Sequence, residues 1–151
     1  MAGLAAFLGK PRADRRLLVV AAVLHAIVAL AVRVLPFGRV RRLLDQLAAL
    51  GARPREVENV EARIVQAVRR VSSLMASENC LVEALVAQCL LARHQRETTL
   101  CIGVARGRPE GRTFDAHAWL EHRGTSVIGA SAVVYDPLRP PSRCASSPSP
   151  R

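Results

Sequence analysis

Aromatic residues are scarce in this chain of 151 residues, which holds three Phe, one Trp and one Tyr. A stacking platform for nucleic-acid bases is therefore not expected, although 22 Lys+Arg against 12 Asp+Glu leave a net charge of +10 that would allow phosphate contacts. Metal and redox spacings are missing too. The four cysteines, Cys80, Cys89, Cys101 and Cys144, form no C-x-x-C pair and no paired ligand pattern, so neither a zinc site nor a redox dithiol is expected. A phosphate-binding loop of the G-x-x-x-x-G-K-[ST] type is lacking, which leaves any ATP requirement to a partner. No cofactor is expected. Arg15 and Arg16 precede an apolar run, yet no A-x-A-like cleavage site with a hydrophilic domain after it follows, so no secretory signal is read. These absences together describe a reduced, cytoplasmic protein.

What is present is apolar and basic. A hydrophobic content of 50% with 23% charged residues excludes an intrinsically disordered chain, because enough apolar surface exists to offset chain entropy. The length suits one domain. Between Leu17 and Val32 an apolar stretch is interrupted only by His25. It is short for a bilayer span, which needs about 20 apolar residues, and is read as a buried helix, with membrane or interfacial insertion as the alternative. Pro36 and Gly38 end it. Val40, Leu43, Leu44, Leu47 and Leu50 then fall at helical spacing opposite Arg41, Arg42 and Asp45, and Val57 to Leu74 repeats the pattern after Gly51 and Pro54. Residues 1–70 carry thirteen basic and five acidic side chains, so the positive field lies on this helical half.

From residue 77 the pattern changes. Ser77 or Asn79 can cap a helix running to about His94 and carrying Cys80 in its first turn. Thr99 to Ala105 is β-branched and apolar enough for a buried strand, and Thr113 to Glu121 and Thr125 to Ile128 read as further strands joined at Arg123-Gly124. The expected fold is α+β: a helical region over 1–75, a core of one helix and a small antiparallel sheet over 76–138, and a disordered tail over 139–151. Five of the nine prolines fall in the last fifteen residues, among serines, which marks that tail.

A thiol at a helix N-terminus meets the positive end of the dipole and unpaired N–H groups, both of which favour thiolate. Cys80 therefore stands out as a nucleophile. His117, in Phe-Asp-Ala-His-Ala-Trp-Leu-Glu, lies mid-strand as a partner base, sharing a strand face with Asp115, Trp119 and Glu121. Cys89 and Cys101, mid-helix and mid-strand, read as small core residues. His25 and His94 read as structural, His122 as a solvated turn residue, and Trp119 as a core or pocket-wall residue.

Three segments in order give these residues a context: Asn79-Cys-Leu-Val-Glu-Ala-Leu-Val-Ala-Gln-Cys-Leu-Leu-Ala-Arg93, Thr99-Leu-Cys-Ile-Gly-Val-Ala105 and Phe114-Asp-Ala-His-Ala-Trp-Leu-Glu121, ending in Gly124 and Val127-Ile-Gly129. Together they resemble the transglutaminase-like cysteine peptidases of lasso-peptide biosynthesis, in particular the stand-alone peptidase half of the split B protein. The likeness covers about residues 15–138, including Leu35-Pro-Phe-Gly-Arg-Val-Arg-Arg42. It implies a papain- or transglutaminase-like core, with Cys80 attacking the scissile carbonyl and His117 carrying the proton. It further implies cleavage of the leader from a ribosomally made precursor peptide, beside a separate leader-recognition protein and an ATP-dependent macrolactam cyclase.

The sequence departs from that family at the orienting acid. Family members often carry an aspartate some twelve residues after the histidine, where this chain has Gly129. Asp136, Glu121 and Asp115 are the substitutes available, and Asp136 is preferred because it follows the last expected strand, where related folds place their acid. Other classes stay open: a non-catalytic peptide-binding or scaffold subunit, a small membrane-associated protein, or a thiol acyl transferase using an amine acceptor.

Overall fold

The computed structural model describes residues 11–51, 59–75, 79–105, 116–131 and 135–138. Four helices, α1 (Arg12–Val34), α2 (Phe37–Leu50), α3 (Val60–Leu74) and α4 (Cys80–Arg93), precede four strands, β1 (Thr99–Ala105), β2 (Ala116–His122), β3 (Thr125–Ile128) and β4 (Tyr135–Pro137). This is the expected α+β arrangement. The turn expected over 106–112 and the tail 139–151 lie outside the described residues.

Helix α4 is the centre of the molecule. Its sequence is apolar on nearly every side, and Val82, Ala84, Leu85, Val86, Ala87, Cys89, Leu90 and Leu91 are all buried. It can be so because α1, α2 and α3 pack on it from one side and β2 from the other. Helices α2 and α3 bury one stripe each, Val40, Leu44 and Ala48 in α2 and Val60, Ile64, Ala67, Val68 and Val71 in α3.

Helix α1 differs from the expected buried helix. Ala21, Leu24, His25 and Val28 turn inward, while Val19, Val23, Ile27, Leu30 and Val34 are exposed. Its neighbours α3 and α4 cover only one side of it. An ion pair of 2.6 Å between Arg63 and Asp14 ties α3 to the first turn of α1. Both side chains are about a third exposed, so the pair sets the register of the helices more than it stabilises them.

The sheet is antiparallel, in the order β3-β2-β1-β4. In β1 and β2, Leu100, Ile102, Ala118 and Leu120 join the main core, whereas Cys101, Trp119, Tyr135 and Ala105 form a second small cluster. Strand alternation divides them in this way. Strand β4 is a correction to the sequence reading, which put Asp136 after the last strand. The segment is short and ends in proline, and a proline is tolerated at a sheet edge, where its missing N–H leaves no ladder bond unmade. Cys80 and Cys89 are free thiols, but Cys101 is disulfide-bonded, against the expectation of a fully reduced chain. Spacing along a sequence does not report the spatial approach that a disulfide needs.

Candidate active site

Helix α4 begins at the capping residue Asn79, whose side chain accepts the backbone N–H of Val82 at 3.3 Å. That cap satisfies one of the open donors of the first turn and holds Cys80, the first helical residue, in place. Cys80 is half-buried. Its Sγ accepts the backbone N–H of Ala118 at 3.4 Å, so the thiol is seated on β2, the strand that carries His117. The structure thus brings together the helix start and the strand that the sequence singled out.

The His117 ring is fixed on three sides. Nε2–H donates to the backbone carbonyl of Gly129 at 2.6 Å. The ring stacks on Tyr135 with centroids 4.9 Å apart, and lies 6.4 Å from Trp119. Because a carbonyl only accepts, Nε2 carries a proton in this contact and Nδ1 is not engaged by it. Nδ1 is then the nitrogen free to exchange a proton with a thiol. Trp119 is in turn held by its indole N–H, which donates to Glu121 Oε1 at 2.8 Å.

Gly129 occupies the place where the resemblance puts an aspartate. Its φ is +74°, and a Cβ there would stand 2.7 Å from the Ala118 carbonyl oxygen and 3.0 Å from Trp119 Cα. The glycine permits the main chain to approach β2 closely enough for its own carbonyl to orient His117. Read from the sequence alone, position 129 is a missing side chain; in the fold it supplies a backbone acceptor.

Two of the three substitute acids, Asp136 and Glu121, lie among the described residues. Asp136 pairs with Val104 in the β1–β4 register, whereas His117 pairs with Gly103, which pairs with Pro137. By that register Asp136 belongs to the opposite alternation from His117. Glu121 is buried and bonded to the Trp119 indole. Asp115 lies outside the described residues.

A carboxylate that the sequence reading passed over interacts with the imidazole. Glu83 stands one helical turn after Cys80, is half-buried, and interacts electrostatically with both Arg69 of α3 and His117. Burial raises its pKa above the ordinary carboxylate value, and Arg69 and then His117 partly oppose that rise. The three-residue helical spacing from Cys80 was the signal available for it. Arg69 also donates to the Val127 carbonyl at 3.4 Å, linking α3 to the strand that leads into Gly129.

The other singled-out residues have structural places. Cys89 is buried, and its thiol donates to the Leu44 carbonyl at 3.7 Å. His122 is not merely solvated: its Nδ1–H donates to the Glu97 carbonyl at 2.6 Å. Among the described residues no group of three or more His, Cys, Asp or Glu side chains is placed to hold a metal.

A thiol at a helix start, seated on an antiparallel strand that presents an imidazole, defines an α+β core of the thiol–imidazole class. The chain belongs to the Transglutaminase-like superfamily: the family model Transglut_core3 matches it over residues 22–140. That superfamily includes cysteine peptidases. No curated protein and no solved structure matches the chain.

Proposed function

We propose that this protein is a cysteine peptidase that removes the leader from a ribosomally synthesised lasso-peptide precursor before an ATP-dependent cyclase closes the macrolactam. The observation that carries the chemistry is the seating of Cys80 Sγ on the Ala118 N–H of the strand that carries His117, whose Nε2–H is committed to Gly129. In this reading His117 Nδ1 takes the thiol proton as Sγ attacks the scissile carbonyl carbon. The tetrahedral oxyanion is met by open N–H groups at the start of α4, donors that every helix start offers. Collapse breaks the C–N bond, the leaving amine takes the proton from His117, and a thioester on Cys80 remains. Water then attacks the thioester, gives its proton to His117, and Cys80 leaves as the thiol.

The work of an orienting aspartate is divided here. The Gly129 carbonyl fixes the tautomer and direction of the ring, and Glu83 supplies negative charge to the imidazolium formed in both steps. No cofactor enters the scheme. The precursor leader and a separate leader-recognition protein are the expected partners, and the basic helical half, thirteen basic against five acidic residues over 1–70, is the surface expected to receive them.

The test is cleavage of a precursor peptide by the purified chain together with its recognition partner. Cys80→Ala is expected to abolish cleavage, and His117→Ala to slow it by about 10²–10⁴-fold, the range for loss of a general acid–base. Cleavage that survives Cys80→Ala would make the chain a scaffold subunit instead. Preferential alkylation of Cys80 over Cys89 by iodoacetamide is the accompanying readout.

A further inference from the structure

The outer side of α1 is apolar and has no neighbour among the described residues. Val19, Val23, Ile27, Leu30 and Val34 follow one another at four, four, three and four residues, which places them in one stripe about 22 Å long. Each is between 52% and 66% exposed. A continuous apolar strip of this kind on a folded protein marks a contact surface.

The charges around the stripe restrict what can cover it. Exposed Arg12 and Arg16 lie on the same helical face at its beginning, and exposed Arg33 borders its end. The one acidic residue of α1, Asp14, points to the other side, where it pairs with Arg63. A second copy of the chain is disfavoured in either direction: parallel stripes would set each arginine against its own copy, and antiparallel ones would set Arg12 and Arg16 against Arg33. A membrane-spanning role is disfavoured as well, because the inner side of the helix packs on α3 and α4 and buries His25. An apolar face bounded by cations that carry their charge to the polar edge has the composition of a helix lying in a bilayer interface.

We infer that α1 docks the folded protein on an anionic lipid surface, with Val19, Val23, Ile27, Leu30 and Val34 in the boundary between headgroups and acyl chains and Arg12, Arg16 and Arg33 on lipid phosphates. The inference is independent of the peptidase reading.

It is tested by sedimentation of the full chain with vesicles of phosphatidylcholine alone or of phosphatidylcholine mixed with phosphatidylglycerol. Binding to the mixed vesicles is expected, with little binding to the neutral ones and a decline as salt rises. The double variant Val23→Asp/Ile27→Asp is expected to lose more than about tenfold in partitioning. Arg12→Gln/Arg16→Gln is expected to lose roughly thirtyfold on anionic vesicles alone. All four positions are exposed, so circular dichroism and thermal midpoints should be unchanged, which separates lost docking from lost folding. Absence of binding by the folded chain at low salt overturns the inference, as does binding that the Asp variants leave intact. A dimer in solution that Val23→Asp/Ile27→Asp dissociates would assign the stripe to a second copy. Precursor cleavage lost in that variant without any vesicle binding by the parent chain would assign it to a peptide or protein partner.

Discussion

At the scale of single residues, the site works through groups whose chemistry is not announced by their type. Gly129 is the clearest case. Restoring the family's aspartate by Gly129→Asp is expected to harm the protein, because the new side chain must adopt a φ of +74° with its Cβ 2.7 Å from the Ala118 carbonyl oxygen. A destabilisation of about 1–3 kcal/mol is expected for such a position. The urea midpoint and the cleavage rate should fall together, and a faster enzyme would contradict the role given to the carbonyl. Glu83→Gln tests the other half of the divided acid. Removing its charge makes the protonated imidazole harder to form, so the acid limb of the pH–rate profile, where the base is lost to protonation, should move to lower pH, with a rate loss of about tenfold. A merely structural role would leave that limb in place. The places of Cys80 at a helix start and of His117 on a strand were legible in the sequence because capping and strand patterning are local properties. Glu83 and the Gly129 carbonyl were not, since their roles depend on which elements meet in space.

At the scale of elements, the helix start is the part on which the position of Cys80 depends. Asn79→Ala removes the acceptor of the Val82 N–H, and a loss of about 1 kcal/mol in unfolding free energy is expected from denaturant titration. Because Cys80 follows immediately, the thiol alkylation rate should change as well. An unchanged stability would mean that water replaces the cap. Element boundaries in the second half were readable: Thr99–Ala105 and Thr125–Ile128 are the strands that β-branched runs and the Arg123-Gly124 turn announce. Two features were not. Strand β4 has three residues, too few for a pattern, and α1 is apolar all round, so periodicity gave no sign of which side would be covered.

At the scale of the whole molecule, buried imidazoles make stability depend on acid. His25 is 1% exposed and neither ring nitrogen has a hydrogen-bond partner; burial lowers its pKa from 6.5. The native state thus resists a proton that the unfolded chain accepts below about pH 6.5. As pH falls through that value the unfolded state binds more protons, and stability is lost at up to about 1.4 kcal/mol per pH unit for one such group. His94 acts in the same direction, its pKa lowered first by burial and then by Arg93, Arg96 and Arg63. His25→Leu should therefore flatten, without abolishing, the decline of urea midpoints between about pH 7 and 5. An unaltered slope would remove His25 from the acid response.

The placement of β4 carries one more consequence. Tyr135 packs its ring on the imidazole from a strand that joins the sheet last in chain order, after both reacting residues have been laid down. Tyr135→Ala keeps Cys80, His117 and the Gly129 carbonyl that holds the ring, yet removes the aromatic wall against which the imidazole rests. In the proposed reaction, loss of that wall would act as a brake on turnover while the strands stayed paired.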